Sequence, residues 1–358
     1  MNAIYLWRII YTFMIMVYHF DTHFFVRSIA CKGGVFGWYI AVDFFFIVSG
    51  FLLFKKTEKS KGTLSAVGYT IERIKKIYPP YILAFIVTFI VIMIVSDTAL
   101  AYWKLDGVIN TFLEVSMLQG IFICKGPYVN YTAWYISVLI IVGFFIYLVL
   151  SKNKKVFLFI LAPVSILFGY FYLYKIYGSL DVTIATDGWT LLTPAMIRGL
   201  AGMSLGVYAA LLSEKLQVYL NDKKAFVRLL IKALGISLLT FVPIASLRYG
   251  ETSIDFLYVI FLFLGVTIAF VPFKNEPRLG FKKFIVYVSG LSLNMYLIHN
   301  VFREWIFTSI FPKTELLSDK DKIFIMILYF ASVIVASVCM DLLLKGIKKL
   351  FSKKGETK

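Results

Sequence analysis

Residues 8–19 read Arg8-Ile-Ile-Tyr-Thr-Phe-Met-Ile-Met-Val-Tyr-His19, with a cation and an imidazole closing the two ends of an apolar run. An α-helix turns once in 3.6 residues, so eleven steps come to about three whole turns and roughly 16 Å of rise. Arg8 and His19 therefore share one helical face. Ionisable groups on a helix that crosses lipid are costly, and they read first as functional. The remainder of the chain decides whether this helix lies in lipid.

The chain has 358 residues, 60% of them hydrophobic, with 35 Phe and 23 Tyr; its mean hydropathy is +0.83. Apolar stretches of about 20 residues recur from end to end, which a water-soluble domain has no use for. Runs of that length also exclude a β-barrel, whose strands would be about ten residues long and alternating. The expected class is all-α, a polytopic membrane helix bundle. The spans fall near 5–26, 35–54, 78–96, 132–150, 156–174, 195–213, 229–247, 254–272, 284–301 and 322–344.

A formal net charge of +17 could suggest a nucleic-acid partner, but the cations gather in short loops between spans. With ten spans and a cytoplasmic N-terminus, the loops and tail on the inner side hold 24 of the 37 Lys and Arg. That is the positive-inside pattern; it predicts N-in and C-in, with membrane lipids and not nucleic acid as neighbours. The N-terminus lacks the basic head and small-residue cleavage site of a signal peptide. Cys31, Cys124 and Cys339 have no metal-ligand spacing, and no metal is expected. Cys31 and Cys124 fall on the outer side, where a disulfide is open to them, although free thiols are the simpler reading.

Residues 108–124 are apolar but short, and include Asn110, Glu114 and Gln119. Counting them as a span would turn the basic Lys152-Asn-Lys-Lys155 loop outward, so a re-entrant or interfacial helix is predicted. One domain over 1–350 is expected, followed by a basic cytoplasmic tail, 351–358.

Several polar groups recur at matching depths. Asp43 lies in span two about as far below the outer face as His19 in span one. A carboxylate there could orient the imidazole or pair with a buried Arg such as Arg198; depth alone leaves both open. Arg73, Lys75 and Lys76 flank span three on the inner side, where Arg8 lies. They read either as ordinary positive-inside residues, with Pro79 opening the span, or as a cup for phosphates. Arg8 itself could snorkel to inner phosphates. Trp134 and Ser137 open span four, and the glycines from Gly199 to Gly206 suit close helix packing. Span nine brings His299 to the outer face; His23 reads as interfacial.

These residues resemble the acyltransferase-3 membrane family. Arg8 with His19 resembles its signature, and Val42-Asp43-Phe-Phe-Phe-Ile-Val-Ser49-Gly50-Phe its second-helix motif. Arg73-Ile-Lys-Lys-Ile-Tyr78-Pro79 is similar to its basic loop, and Trp134-Tyr-Ile-Ser137-Val to its WxLSV stretch. Met196-Ile-Arg198 through Gly206 and Tyr296-Leu-Ile-His299 resemble later elements, in the family's order. The resemblance implies an integral O-acyltransferase of a bacterial cytoplasmic membrane. Such an enzyme moves an acyl group, commonly acetyl, from cytoplasmic acyl-CoA to a hydroxyl of an extracytoplasmic or lipid-linked carbohydrate such as an exopolysaccharide.

On that reading Arg8, Arg73 and Lys76 hold the phosphates of acyl-CoA (acetyl-CoA in the simplest case). His19 is the general base and Asp43 orients it. Trp134, Ser137, Arg198 and His299 line the acceptor cavity. One departure stands out: the family often has Glu after its WxLSV stretch, where this chain has Leu139, leaving Asp43 or Glu114 as substitutes. The alternative is a transporter or flippase for a lipid-linked sugar, since intramembrane Arg, Asp and His also mark substrate paths. The lack of an internal repeat speaks against it.

Overall fold

The computed structural model describes residues 2–24, 37–121, 126–183, 192–249, 252–272, 282–311 and 317–355. Cys31, Cys124 and the side chains of His23 and of residues 351–358 lie outside the described residues. Eleven helices follow in order: α1 (Asn2–Phe24), α2 (Ala41–Ser60), α3 (Ala66–Val95), α4 (Leu105–Val115), α5 (Trp134–Lys152), α6 (Lys154–Tyr177), α7 (Pro194–Asn221), α8 (Ala225–Ala245), α9 (Asp255–Ala269), α10 (Lys282–Phe307) and α11 (Asp319–Gly355). Among the described residues there is no strand, and nine helices are long and apolar enough to cross a membrane.

The tenth expected span, 254–272, is α9. Its 15 residues rise roughly 22 Å, short of a hydrocarbon core of about 30 Å. Helix α4 turns the usual pattern inside out. Asn110 and Glu114 are buried while Leu105, Val108 and Phe112 are exposed, and its 11 residues cannot cross a bilayer. On α6, Phe159, Leu167, Phe168 and Phe171 are likewise exposed. Contiguous apolar surface of this kind is a liability in water and ordinary in lipid.

Local chemistry sets the boundaries. Ser65 accepts from Gly68 N at 3.0 Å and so caps α3. Thr193 does the same for α7 through Met196 N at 3.2 Å, with Pro194 in the first turn. Gly178, at φ +70°, closes α6 in a left-handed conformation that costs glycine little. One boundary differs from expectation. Helix α3 begins at Ala66, not at Pro79, and runs through Pro79 and Pro80. The carbonyls those prolines leave without N–H partners belong to Lys75 and Lys76, which are exposed and within reach of water. The basic segment is therefore a helical extension, and Arg73 has a fixed direction.

The ion pairs Lys55–Glu214, Lys154–Glu58 and Lys56–Glu72, at 2.7–2.9 Å, gather the ends of α2 and α7 and the starts of α3 and α6 at one end of the bundle. That end carries the loops assigned to the cytoplasm.

The innermost crossing is α2 against α7. A Cβ on Gly50 would strike the Met203 carbonyl, and one on Gly206 would strike the Ile47 carbonyl. Gly199 and Gly202 sit against Phe46. Small residues at positions i, i+3 and i+7 let the two backbones touch, as membrane helices pack. Replacing Gly206 with Val drives a side chain into backbone, which costs about 1–3 kcal/mol or more. Monodisperse protein should be lost on size exclusion, whereas Gly290→Ala, which meets open space, should elute as wild type.

Candidate functional site

Arg8, Thr12, Ile15 and His19 form one stripe along α1, at steps of four, three and four residues. Two cavities open on that stripe. The inner one, about 230 Å³, is lined by Arg8, Thr12, Ser49, Arg73, Tyr135 and Leu139 among others. The outer one, about 40 Å³, is lined by Tyr18, His19, Thr132, Trp134, Asp181 and Arg198 among others. Ile15, Val42 and Tyr296 border both cavities and so form the partition between them. The Tyr296 hydroxyl donates to the Thr132 carbonyl, which ties the partition to the start of α5.

Walls of the inner cavity are mostly aliphatic, with its polar groups placed singly. Arg73 Nη1 donates to the Tyr69 hydroxyl. Ser49 Oγ and Tyr135 Oη lie 3.3 Å apart. Ser292 Oγ lines the same cavity, is buried and has no hydrogen-bond partner among the described residues. Two guanidinium groups in an otherwise largely apolar cavity suit an anionic headgroup followed by an uncharged arm.

Above the partition lies a buried ion pair. Arg198 Nη2 contacts Asp43 Oδ2 at 2.5 Å, and Nε reaches both carboxylate oxygens at 3.2–3.3 Å. Nη2 also donates to the Tyr39 carbonyl at 3.0 Å, and Nη1 to the Val182 carbonyl at 3.2 Å. Both side chains are about 1% exposed or less. Asp43 thus gives its carboxylate to Arg198, one of the two pairings that depth alone left open, and it is not among the residues bordering the outer cavity.

Other expected residues are dispersed. Lys76 is exposed on α3 and does not border the inner cavity, although Arg73 does. Ser137 Oγ accepts from Gly120 N at 2.9 Å and anchors the loop before α5; it does not border the outer cavity. His299 is fully buried and borders neither cavity; it stands behind His19, with ring centroids 5.2 Å apart. Trp134 lines the outer cavity as expected from its position.

Tyr18 and Asp181 join the site unannounced by sequence, and Tyr296, which the sequence marked only as part of a motif, joins them. The Tyr18 hydroxyl donates to Asp181 Oδ2 at 2.9 Å, and burial raises the Asp181 carboxyl above the ordinary range. Asp181 sits in a short loop after Gly178, with no periodicity to betray it. Tyr18, by contrast, could have been found from its place beside His19.

Glu114 is the other carboxylate named above as a substitute for the family Glu. Its oxygens accept from Val129 N and Asn130 N, each at 3.1 Å. Asn130 in turn donates to the Leu297 carbonyl at 2.9 Å and accepts from Thr132 Oγ1 at 2.9 Å. Burial pushes the Glu114 carboxyl up to about 8, against those two N–H donors. Its work is to fold the strap that carries Thr132 and Trp134 over the outer cavity. Leu139 lines the inner cavity, so the position of the family Glu is apolar wall here.

The family model for an acyltransferase domain, of the acyltransferase-3 type, matches residues 1–343. The chain belongs to that family: it is a multi-pass membrane acyltransferase. Comparison with curated proteins and with solved structures returns no match.

Breaking the buried pair leaves an uncompensated charge. Asp43→Leu alone should lower stability by about 3–5 kcal/mol, seen as a fall in thermal unfolding midpoint. The double change Asp43→Leu with Arg198→Met should recover most of that loss.

Proposed function

We propose that this acyltransferase takes its acyl group from cytoplasmic acyl-CoA and delivers it to a hydroxyl of an extracytoplasmic or lipid-linked carbohydrate. What supports this reading above all is the pair of cavities on one stripe of α1, cationic below and histidine-bearing above, divided only by Ile15, Val42 and Tyr296. Arg8 and Arg73 receive the phosphates of the donor, with Lys76 as an outlying charge that raises its local concentration. The pantetheine arm threads the apolar cavity toward the partition, over the roughly 16 Å that separates Arg8 from His19 along the helix.

At the partition the thioester carbonyl meets the acceptor hydroxyl. His19 takes the hydroxyl proton as the oxygen attacks; the C–O bond forms and the C–S bond breaks. The proton on His19 then passes to the departing thiolate, so no co-reactant is needed. Arg198, with its carboxylate partner Asp43 fixing its orientation, presents positive charge beside the developing oxyanion. Trp134 and Tyr18 offer aromatic faces to a sugar, and Asp181 an acceptor for its hydroxyls. A small acyl group such as acetyl, an exopolysaccharide acceptor and a bacterial cytoplasmic membrane complete the reading.

The test is the acyl content of surface glycan, by mass spectrometry, in cells with wild-type protein or His19→Ala. His19→Ala at normal protein level should lower acylation about 10²–10⁴-fold, the usual contribution of a general base. Undiminished acylation refutes the assignment. Arg73→Ala should raise the KM for acyl-CoA about tenfold or more and leave that for acceptor little changed. Coenzyme A should raise the unfolding temperature of the purified protein; a flippase would show neither the shift nor acylation.

A further inference from the structure

His299 is the buried ionisable group that the reaction above leaves without a task. Its Nδ1 lies 2.6 Å from the Tyr296 carbonyl oxygen. A carbonyl only accepts, so Nδ1 carries the hydrogen. Nε2 has no hydrogen-bond partner among the described residues, and the side chain is fully buried. A hydrogen on Nε2 would make a buried cation with an unspent donor, the costlier state. Arg303, one turn further along α10 and ion-paired to Glu304 at 2.7 Å, adds to that cost. Nε2 therefore bears a lone pair, and its ring faces that of His19 at 5.2 Å between centroids, with the planes inclined by 35°.

That separation is informative. Two imidazoles joined N–H to N have centroids roughly 5 Å apart, because each nitrogen lies about 1.1 Å from its ring centre and the bond spans about 3 Å. The Tyr296 carbonyl holds the His299 ring, so it is rotation of the His19 ring that would complete the bond.

We infer that His299 is the positioning residue for His19, the part that a carboxylate plays in other base–orienter pairs, with its Nε2 accepting from a ring N–H of His19. This rests on the acyl-transfer reading for its purpose, though not for its geometry. Holding one nitrogen of His19 as a donor toward His299 leaves the other as a lone pair toward the outer cavity, ready for the hydroxyl. When His19 gains that proton, the same bond steadies the imidazolium without burying a second charge. The ion pair to Arg198 takes Asp43's carboxylate, and the neutral Nε2 of His299 serves as the acceptor in its place.

The chain has three histidines, so a His23→Asn background leaves two imidazoles to observe. In full-length ¹⁵N-histidine-labelled protein in nanodiscs, His19 should give the nitrogen shifts of one fixed tautomer. His299→Leu should turn these into a mixture of tautomers. The same variant should cut turnover about a hundredfold with the KM for acyl-CoA unchanged, as expected of a lost orienter. His299→Gln places an amide oxygen near the site of Nε2 and should regain about tenfold over Leu. Unchanged His19 nitrogens in His299→Leu overturn the pairing, as does turnover in that variant within about threefold of wild type. If the protein transfers no acyl group but His19 still responds to His299→Leu, the pairing stands and the transferase reading falls.

Discussion

The ion pair between Asp43 and Arg198 constrains the rest of this structure. Two full charges inside a membrane bundle are tolerable only when each completes the other and every remaining donor is met. In the Arg198 guanidinium each nitrogen finds an acceptor, among both carboxylate oxygens and the carbonyls of Tyr39 and Val182. Such an arrangement requires α2 and α7 to lie backbone to backbone, which Gly50 and Gly206 permit by lacking a Cβ. It also draws in the outer loop at Val182, and with it Asp181. Packing and electrostatics here are one requirement.

Around that fixed pair the chain divides its polar groups by side. Two arginines stand at the inner cavity, and an imidazole with the paired Arg198 at the outer one, with three side chains bordering both. A partition of this kind keeps the contents of the two cavities apart, a fit for the proposed reading of a charged donor below and a polar acceptor above. Family membership makes acyl transfer the chemistry; the division of charge is what favours one substrate from each face.

Much of this was legible from residue order. Recurrent 20-residue apolar runs can satisfy their backbone in lipid only as helices, so the spans announced themselves. The spacing of Arg8 and His19 placed both on one stripe because helical periodicity is local. Sequence left Asp43 open between His19 and Arg198, since depth in a span says nothing about azimuth. It gave Ser137 to a cavity when its hydroxyl serves the Gly120 amide instead. It opened α3 at Pro79, where a helix already under way carries two prolines because the freed carbonyls reach water.

The sequence by itself determined the membrane class and the family, because each depends on hydropathy and residue order along a single chain. Only the tertiary structure decided which polar groups meet. That Asp43 takes Arg198, that Glu114 folds the strap before α5, and that His299 stands behind His19 all follow from how helices rotate about their axes. Rotation is set by packing between segments far apart in the chain, and periodicity within any one of them carries no record of it.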